Sequence, residues 1–419
     1  MRIAIFTLGT RGDVQPYIAL AVEAIKRGHS AVICTGESFK DLIKSYNIEF
    51  SKADLDLMEL LESKDGQDIF NNASKHIIKA IKYSKEYINP AYRKTLEQFY
   101  NCAKSADVIV YHPKALGAPD IAISLNIPCI HMPPVPIVYP VEEFPNLAIS
   151  YKGNFGSIIN KLTYLPIKYA EASYIKEIND FRQKILKLPK RKCGIYTYNV
   201  ESKPIPLLYP VSKFIFEDVN SWSKKVYLSG FLFIDSANEQ LSDEIKKFIS
   251  NGNAPIIISF SSMPLKNPLK FKEVLIKALK ETNNRAIVLT GTSGMNFDNA
   301  DNILSVKSAP HSLLFPLSKG IVHHGGVGTM ATALKSGKPQ LIMPFSVDQP
   351  FWANRLYKMG YALKPMYETN ISINDLSQAF IDMDSSVNIN RAISIKSKLD
   401  TENGNINAIK FIENICLKN

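Results

Sequence analysis

The sequence predicts an α/β protein made of two similar doubly wound halves that face each other across a cleft. Three observations carry this expectation. Short apolar runs alternate with amphipathic helical stretches in both halves of the chain. At 419 residues the chain is too long for one ordinary core. A proline-marked stretch, 204–210, separates the two alternating series and reads as the start of a linker.

In the first half, residues 3–7 read as a strand that stops at Gly9, too short for a signal-peptide core and with no cleavage site after it. An amphipathic helix over 16–27 closes at Gly28, followed by a strand at 30–34 and a helix at 39–46. Residues near 52–104 look mostly helical and lysine-rich. A strand at 108–111, a helix at 117–125 and a strand at 128–132 follow. Between 142 and 190, Phe155, Ile158, Ile159, Leu162, Tyr164, Tyr169, Tyr174, Ile175 and Ile178 lie among scattered lysines. That stretch reads as amphipathic helices, either packed on the sheet or lining an apolar acceptor cleft.

Beyond the linker, strands are expected at 225–228, 256–260, 286–290, 303–306, 320–323 and 340–344, with helices over 271–280, 330–335 and 406–416. The expected domains are 1–205, then 206–250 as linker and first C-terminal elements, then 251–400, and 401–419 as a helix packing back on the first domain. Clefts between such halves are favoured ligand sites.

Composition narrows the class. Hydrophobic residues make up 46% and charged residues 21%, a globular balance. The five cysteines are far apart and form no C-x-x-C, which argues against a disulfide framework or a zinc site and fits a reducing cytoplasm. The longest apolar stretch, 121–141, is broken by five prolines and is no membrane span. The net charge of +11 fits lysine-rich solvated faces or peripheral contact with an anionic membrane. No basic patch interleaved with aromatics and no zinc-finger or helix-turn-helix spacing points to nucleic acid.

Four loops carry chemistry. In Gly9-Thr10-Arg11-Gly12-Asp13, the glycines are read as allowing positive φ and close approach of another molecule. Asp13 reads either as the helix N-cap or as a general base at the cleft mouth. The loop lacks G-x-G-x-x-G, so it is no dinucleotide fingerprint. In His323-His324-Gly325-Gly326-Val327-Gly328-Thr329, a buried strand breaks into a glycine turn and an alanine-rich helix. Free amides at a helix start seat a phosphate, and His324 and Thr329 add hydrogen bonds. Neighbouring histidines on a strand end point to opposite sides, which disfavours a metal held by His323 and His324. Asp348-Gln349, with Asn354 and Arg355 beyond, offers donors and acceptors to adjacent sugar hydroxyls, or caps a helix. Ser259-Phe260-Ser261-Ser262 is a weak phosphate-approach signal.

Taken together these strings resemble the inverting, nucleotide-sugar-dependent glycosyltransferases with two facing Rossmann-like domains, the GT-B fold of glycosyltransferase family 1. The likeness is to the branch of sterol, glycopeptide and rhamnolipid glycosyltransferases. It is strongest over residues 6–20 and 256–360, and includes Pro310-His311-Ser312-Leu313-Leu314-Phe315-Pro316. The resemblance implies that Asp13 takes the proton from an acceptor hydroxyl and that Gly12 belongs to the donor-binding residues. It implies that His324, Gly326, Gly328, Thr329 and Ser262 face the donor diphosphate. Asp348 and Gln349 would hold sugar hydroxyls, and Ala309 and His311 border the nucleobase. Two departures stand out: Phe260-Ser261-Ser262 replaces the usual Phe-Gly-Ser, and the loop 290–294 lacks the tryptophan of some relatives.

The function implied is transfer of a hexose, glucose from UDP-glucose first, to a hydroxyl of a lipophilic acceptor such as a sterol. No cofactor and no metal are expected, since the helix start and His324 replace a cation and no Asp-x-Asp motif sits in the appropriate place. A cytoplasmic monomer is expected, its basic charge read either as solvated lysine-rich faces or as peripheral contact with the inner membrane face. Alternatives are transfer of another sugar from dTDP or as rhamnose, a sugar-nucleotide epimerase, and a binding protein that has lost catalysis. A nicotinamide oxidoreductase is disfavoured by the missing fingerprint.

Overall fold

The computed structural model describes residues 1–62, 82–147, 149, 153–222, 226–234, 239–260, 263–291, 297 and 299–418. The first half is a seven-stranded sheet. Its strands are β1 (Arg2–Phe6), β2 (Ser30–Gly36), β3 (Glu49–Ala53), β4 (Val108–Tyr111) and β5 (Cys129–His131). After a small antiparallel hairpin, β6 (Asn199–Val200) with β7 (Lys203–Pro204), come β8 (Leu207–Tyr209) and β9 (Val226–Leu228). The spatial order is β3-β2-β1-β4-β5-β8-β9 and every pairing is parallel. The second half is a five-stranded parallel sheet of β10 (Ile256–Ser259), β11 (Ala286–Leu289), β12 (Ile303–Val306), β13 (Gly320–His323) and β14 (Gln340–Ile342), in the order β12-β11-β10-β13-β14.

Helices cover both faces of each sheet, so the central strands have no polar face to show water. This is why β4 (Val-Ile-Val-Tyr) and β10 (Ile-Ile-Ile-Ser) read as unbroken apolar runs and are buried throughout. On one face of the first sheet Phe6 stacks on Phe99 at 4.4 Å. On the other, the helix Arg11–Lys26 packs with the closing helix Gly404–Cys416, whose Ala408, Ile409 and Ile412 are fully buried there. Arg27 and His29 both reach Glu413 on that helix, which pins the chain's end to its beginning.

The stretch 204–210 differs from the expected linker. Leu207–Tyr209 is a buried strand, and Val226–Leu228 pairs with it, so the first sheet extends beyond residue 205. Three residues fenced by prolines carry too little periodicity to read as a strand, and only the neighbouring strand β5 recruits them. Similarly, the first residues of the lysine-rich stretch near 52–104 belong to strand β3, with helices at Leu57–Glu62 and Asn89–Ala103. Residues 63–81 of that stretch lie outside the described residues.

The two halves are joined by an aromatic cluster. Phe144, Tyr209, Phe216 and Trp222 from the first half pack against Phe351 and Trp352 from the second. Arg355 lies over the Phe216 ring at 4.5 Å, donates from Nε to the Ile215 carbonyl at 2.5 Å and pairs with Asp218. Arg355 is therefore a structural brace between the halves. Burying each large apolar side chain in such a cluster contributes about 1.5–3 kcal/mol.

Candidate functional site

In both sheets the strand order reverses beside the first strand, between β1 and β4 and between β10 and β13. Loops leaving such a point part to opposite sides and open a crevice at the carboxyl ends of the strands. The residues singled out in the sequence fall at these two crevices. Asp13 follows β1, His324 follows β13, Asp348 follows β14, and Ala309 and His311 follow β12.

The helix Arg11–Lys26 starts at Thr10, so Thr10 and not Asp13 is its N-cap. Asp13 sits in the first turn and its Oδ2 reaches back to accept from the Thr10 N–H at 2.8 Å and the Thr10 hydroxyl at 3.3 Å. Gly9 makes room for this: its φ is +150°, and a Cβ there would lie 2.0 Å from Asp13 Oδ2. Gly12 lies within the helix and lacks the positive φ expected of it.

Two further partners of Asp13 were missed in the sequence. His112, directly after β4, presents Nε2 to Asp13 Oδ1 at 3.1 Å, and Lys114 Nζ donates to Oδ2 at 3.1 Å. The Lys114 N–H donates to His112 Nδ1 at 3.1 Å, which assigns the imidazole proton to Nε2. Burial drives the Asp13 carboxyl upward, but the His112 hydrogen bond, Lys114 and the Thr10 N–H outweigh it and hold Asp13 well below the usual carboxylate range. Burial lowers His112, so the ring is a neutral N–H donor at pH 7, with Asp13 opposing that shift only in part. The signal for this pair was available: a histidine immediately beyond a strand that neighbours β1 must end beside the β1 loop.

On the opposite sheet His323 and His324 part company. His323 is fully buried, takes the Gly325 N–H on Nδ1 at 3.1 Å and meets Gln340 Oε1 with Nε2 at 2.8 Å. It is a turn brace. His324 has a buried Nδ1 without a hydrogen-bond partner among the described residues. Its Nε2 lies above Gly326, where a Cβ would come within 2.4 Å. Gly326 caps the helix Val327–Ser336 with no side-chain hydrogen bond, and the first intrahelical donor is Met330, to the Gly326 carbonyl at 2.9 Å. The amides of Val327, Gly328 and Thr329 thus open the helix, with free space above Gly328. Gly325 takes φ +90°, which only glycine adopts without strain.

Burial holds His324 at about 4, against a smaller upward pull from the Ser259 main chain. It therefore offers a neutral N–H at pH 7 rather than a positive charge. His311 bonds Ser259 Oγ at 3.1 Å and stacks on Phe315 at 4.5 Å; burial lowers it too, to about 4. Ala309 packs against the core cluster beside it. Asp348 occupies the N-cap position of the helix Gln349–Lys358, yet its Oδ2 accepts from Trp352 Nε1 at 2.8 Å instead of capping. Gln349 is buried, and its Oε1 accepts from the Phe345 and Ser346 amides at 2.8 and 3.3 Å. That oxygen braces the loop, which leaves only the amide nitrogen of Gln349 for a sugar. Ser262 and its neighbour Ser261 lie outside the described residues, as does most of the loop 290–294.

The two crevices face each other. Burial raises the Asp348 carboxyl, and the charge of Asp13 across the cleft raises it further. Arg11, from the first half, lowers His311 in the second. A separate cavity of about 690 Å³ opens at the other ends of the C-terminal strands, by Arg285, Lys319 and Lys338, and none of these site residues lines it. Among the described residues no group of three or more His, Cys, Asp or Glu side chains converges as a metal cluster would.

Buried neutral histidines make an acid-stability prediction. His112 is lowered by burial, His311 and His324 stand at about 4, and His131 and His323 at about 3. All five titrate lower folded than unfolded, so their contribution is full above about pH 6.5 and is lost as pH falls toward the folded values. For His131, His311, His323 and His324 each costs about 1.4 kcal/mol per pH unit in that window, on the order of 5 kcal/mol between pH 6 and pH 5 together, and His112 adds in the same direction. Urea unfolding at pH 7, 6 and 5 measures it; a flat midpoint over that range is the contrary result.

Two parallel sheets, each turning its switch point to a common cleft, define the GT-B glycosyltransferase fold, and this chain has it. The solved glycotransferase of kitacinnamycin superposes with a TM-score of 0.70 at 18% identity, covering 99% of this chain and 98% of that one. Residues 3–128 match the family described as Glycosyltransferase family 28 N-terminal domain, and residues 277–391 the family described as Erythromycin biosynthesis protein CIII-like, C-terminal domain. More particularly, the chain is 30% identical over 387 residues to the sterol 3-beta-glucosyltransferase UGT80B1 of Arabidopsis thaliana, covering 90% of this chain and 62% of that protein. It is 27% identical over 382 residues to the O-mycaminosyltylonolide 6-deoxyallosyltransferase of Streptomyces fradiae, covering 87% and 86%. The chain thus spans less than two thirds of the plant relative's length.

Proposed function

We propose that this chain transfers a hexose, with inversion, from a sugar nucleotide to a hydroxyl of a lipophilic acceptor, as a family 1 glycosyltransferase does. The observation that carries the reading is the opposition of Asp13, held by His112, to His324 and the uncapped helix start across one cleft. The plant sterol relative favours glucose as the sugar and a sterol as the acceptor. The Streptomyces relative, a deoxyallosyl transferase, keeps a different sugar nucleotide and a natural-product acceptor as the second reading.

The acceptor oxygen attacks the anomeric carbon while the bond from that carbon to the diphosphate oxygen breaks. The acceptor proton passes to Asp13. Oδ2 already receives three donors, whereas Oδ1 receives only His112, so the free lone pair for that proton is on Oδ1. Lys114 is half exposed, and an acceptor that displaces it takes away one of the groups that depress the carboxylate, while His112, the larger one, stays. Negative charge gathering on the leaving diphosphate falls on the amides of Val327, Gly328 and Thr329 and on His324. Asp348 and the Gln349 amide nitrogen hold sugar hydroxyls, and Ala309 and His311 border the base. No metal or cofactor enters this scheme. The five free cysteines fit a reducing compartment such as the cytoplasm, and the basic balance fits peripheral membrane contact.

The test is incubation with UDP-glucose and dTDP-glucose beside a panel of lipophilic alcohols, with products read by mass spectrometry and anomeric configuration by NMR. A β-glycoside of one alcohol is expected, and UDP at one hundred times its Kd is expected to stabilise the fold by about 2.7 kcal/mol. An epimerised sugar nucleotide formed without acceptor, or stabilisation by NADH in place of UDP, overturns the reading.

A further inference from the structure

The stretch 155–192 is built the opposite way round from an ordinary surface element. Its charged anchor is inside. Arg182 and Arg191 converge on Asp120, which is fully buried in the helix Ala118–Leu125, and Arg191 also grips Glu171 through both terminal nitrogens. Its apolar residues point outward. Phe155, Ile158, Ile159, Leu162, Leu165 and Tyr169 are all exposed, Ile158 to 75% and Tyr169 to 70%. Of the apolar residues read there as core or cleft lining, Tyr164 and Ile178 are buried and Tyr174 and Ile175 half-buried, while Phe155, Ile158, Ile159, Leu162 and Tyr169 face solvent. Contiguous exposed apolar surface of this kind marks a contact with something else.

The surrounding charge says what. Lys168, Lys176, Lys184, Lys187, Lys190 and Lys192 are exposed on the same stretch. Against them stand Glu177 and Asp180, both partly buried, and Glu171, which is taken by Arg191. The Lys168–Tyr169 end of the strip and the lysine-rich end at 190–192 meet in space, since Cys193 Sγ meets the Lys168 carbonyl at 3.4 Å and Gly194 packs on the same carbonyl. An apolar strip rimmed by lysines is the complement of an anionic lipid surface. Tyr164, on the inner side of the strip, belongs to the cluster that joins the two halves, so the strip lies next to that junction.

We propose that the surface formed by Phe155, Ile158, Ile159, Leu162, Leu165 and Tyr169, with its rim of lysines, docks on an anionic bilayer and sets the junction of the two halves beside it. The surface stands on its own observations; that the bilayer also supplies the acceptor rests on the reading under Proposed function.

Co-sedimentation of the chain with vesicles of phosphatidylcholine alone, or of phosphatidylcholine and phosphatidylglycerol in equal parts, tests it. The chain is expected to pellet with the anionic vesicles only. The double variant Ile158→Asp, Leu162→Asp is expected to lower partitioning about tenfold or more, with an unchanged unfolding midpoint and unchanged transfer to a water-soluble acceptor. The charge variant Lys187→Glu, Lys190→Glu is expected to weaken binding in the same direction. Wild type left in the supernatant with both vesicles overturns the proposal, as do variants that pellet like wild type. A dimer in sedimentation velocity that the double variant dissociates assigns the strip to a second copy and overturns it too. Vesicle binding without glycosylation of any lipophilic alcohol sinks the acceptor reading alone, and transfer without vesicle binding sinks the docking surface alone.

Discussion

Replacing Asp13 by asparagine is expected to lower sugar transfer by about 10²–10⁴-fold, the usual worth of a positioned general base. Asparagine keeps a carbonyl oxygen for the Thr10 N–H, so the start of the helix Arg11–Lys26 survives. The lost ion pair with Lys114 is partly exposed and worth about 0–1 kcal/mol. The amide nitrogen then faces the buried His112 Nε2–H, which loses its acceptor at a cost of about 1–3 kcal/mol, so a lowered unfolding midpoint accompanies the loss in kcat. Steady-state kinetics beside thermal unfolding measure both. Undiminished kcat in a folded Asp13→Asn variant removes the base from the scheme.

His324→Ala is expected to cost about 10²–10³-fold in kcat, the range for one donor to a developing oxyanion. Burial keeps His324 at about 4, so its role at neutral pH is a hydrogen bond and not a charge. Its Nε2 is the nitrogen beside the helix start at Gly326, while its Nδ1 is buried. His324→Gln, which keeps a donor, is expected to fall between wild type and alanine. Weaker UDP binding by calorimetry accompanies the loss in both variants. Equal UDP affinity and equal kcat in His324→Ala would place the diphosphate elsewhere. His323→Ala, by contrast, removes a brace between Gly325 and Gln340 and acts on stability first.

Much of the site in the second half was legible because it is local. A glycine turn after a buried strand fixes where helix amides point, and His323-His324-Gly325-Gly326 spells that turn out in consecutive residues. The partners of Asp13 were not legible in that way. His112 lies 99 residues away, and it reaches Asp13 only because β4 pairs directly with β1. Gln349 shows the same limit in reverse: its position after β14 reads as sugar-binding, while its oxygen is spent on the Phe345 and Ser346 amides.

The alternation of apolar runs and helices determined the fold class, because strands covered on both faces leave unbroken hydrophobic signatures in the chain itself. The membership of β8 in the first sheet was decided in three dimensions: three residues between prolines become a strand only when a neighbouring strand offers hydrogen bonds. So was the outward turn of Ile158 and Leu162. Periodicity marks an apolar face but not its direction, and here the buried Arg191–Asp120 pairing settles which side meets the protein.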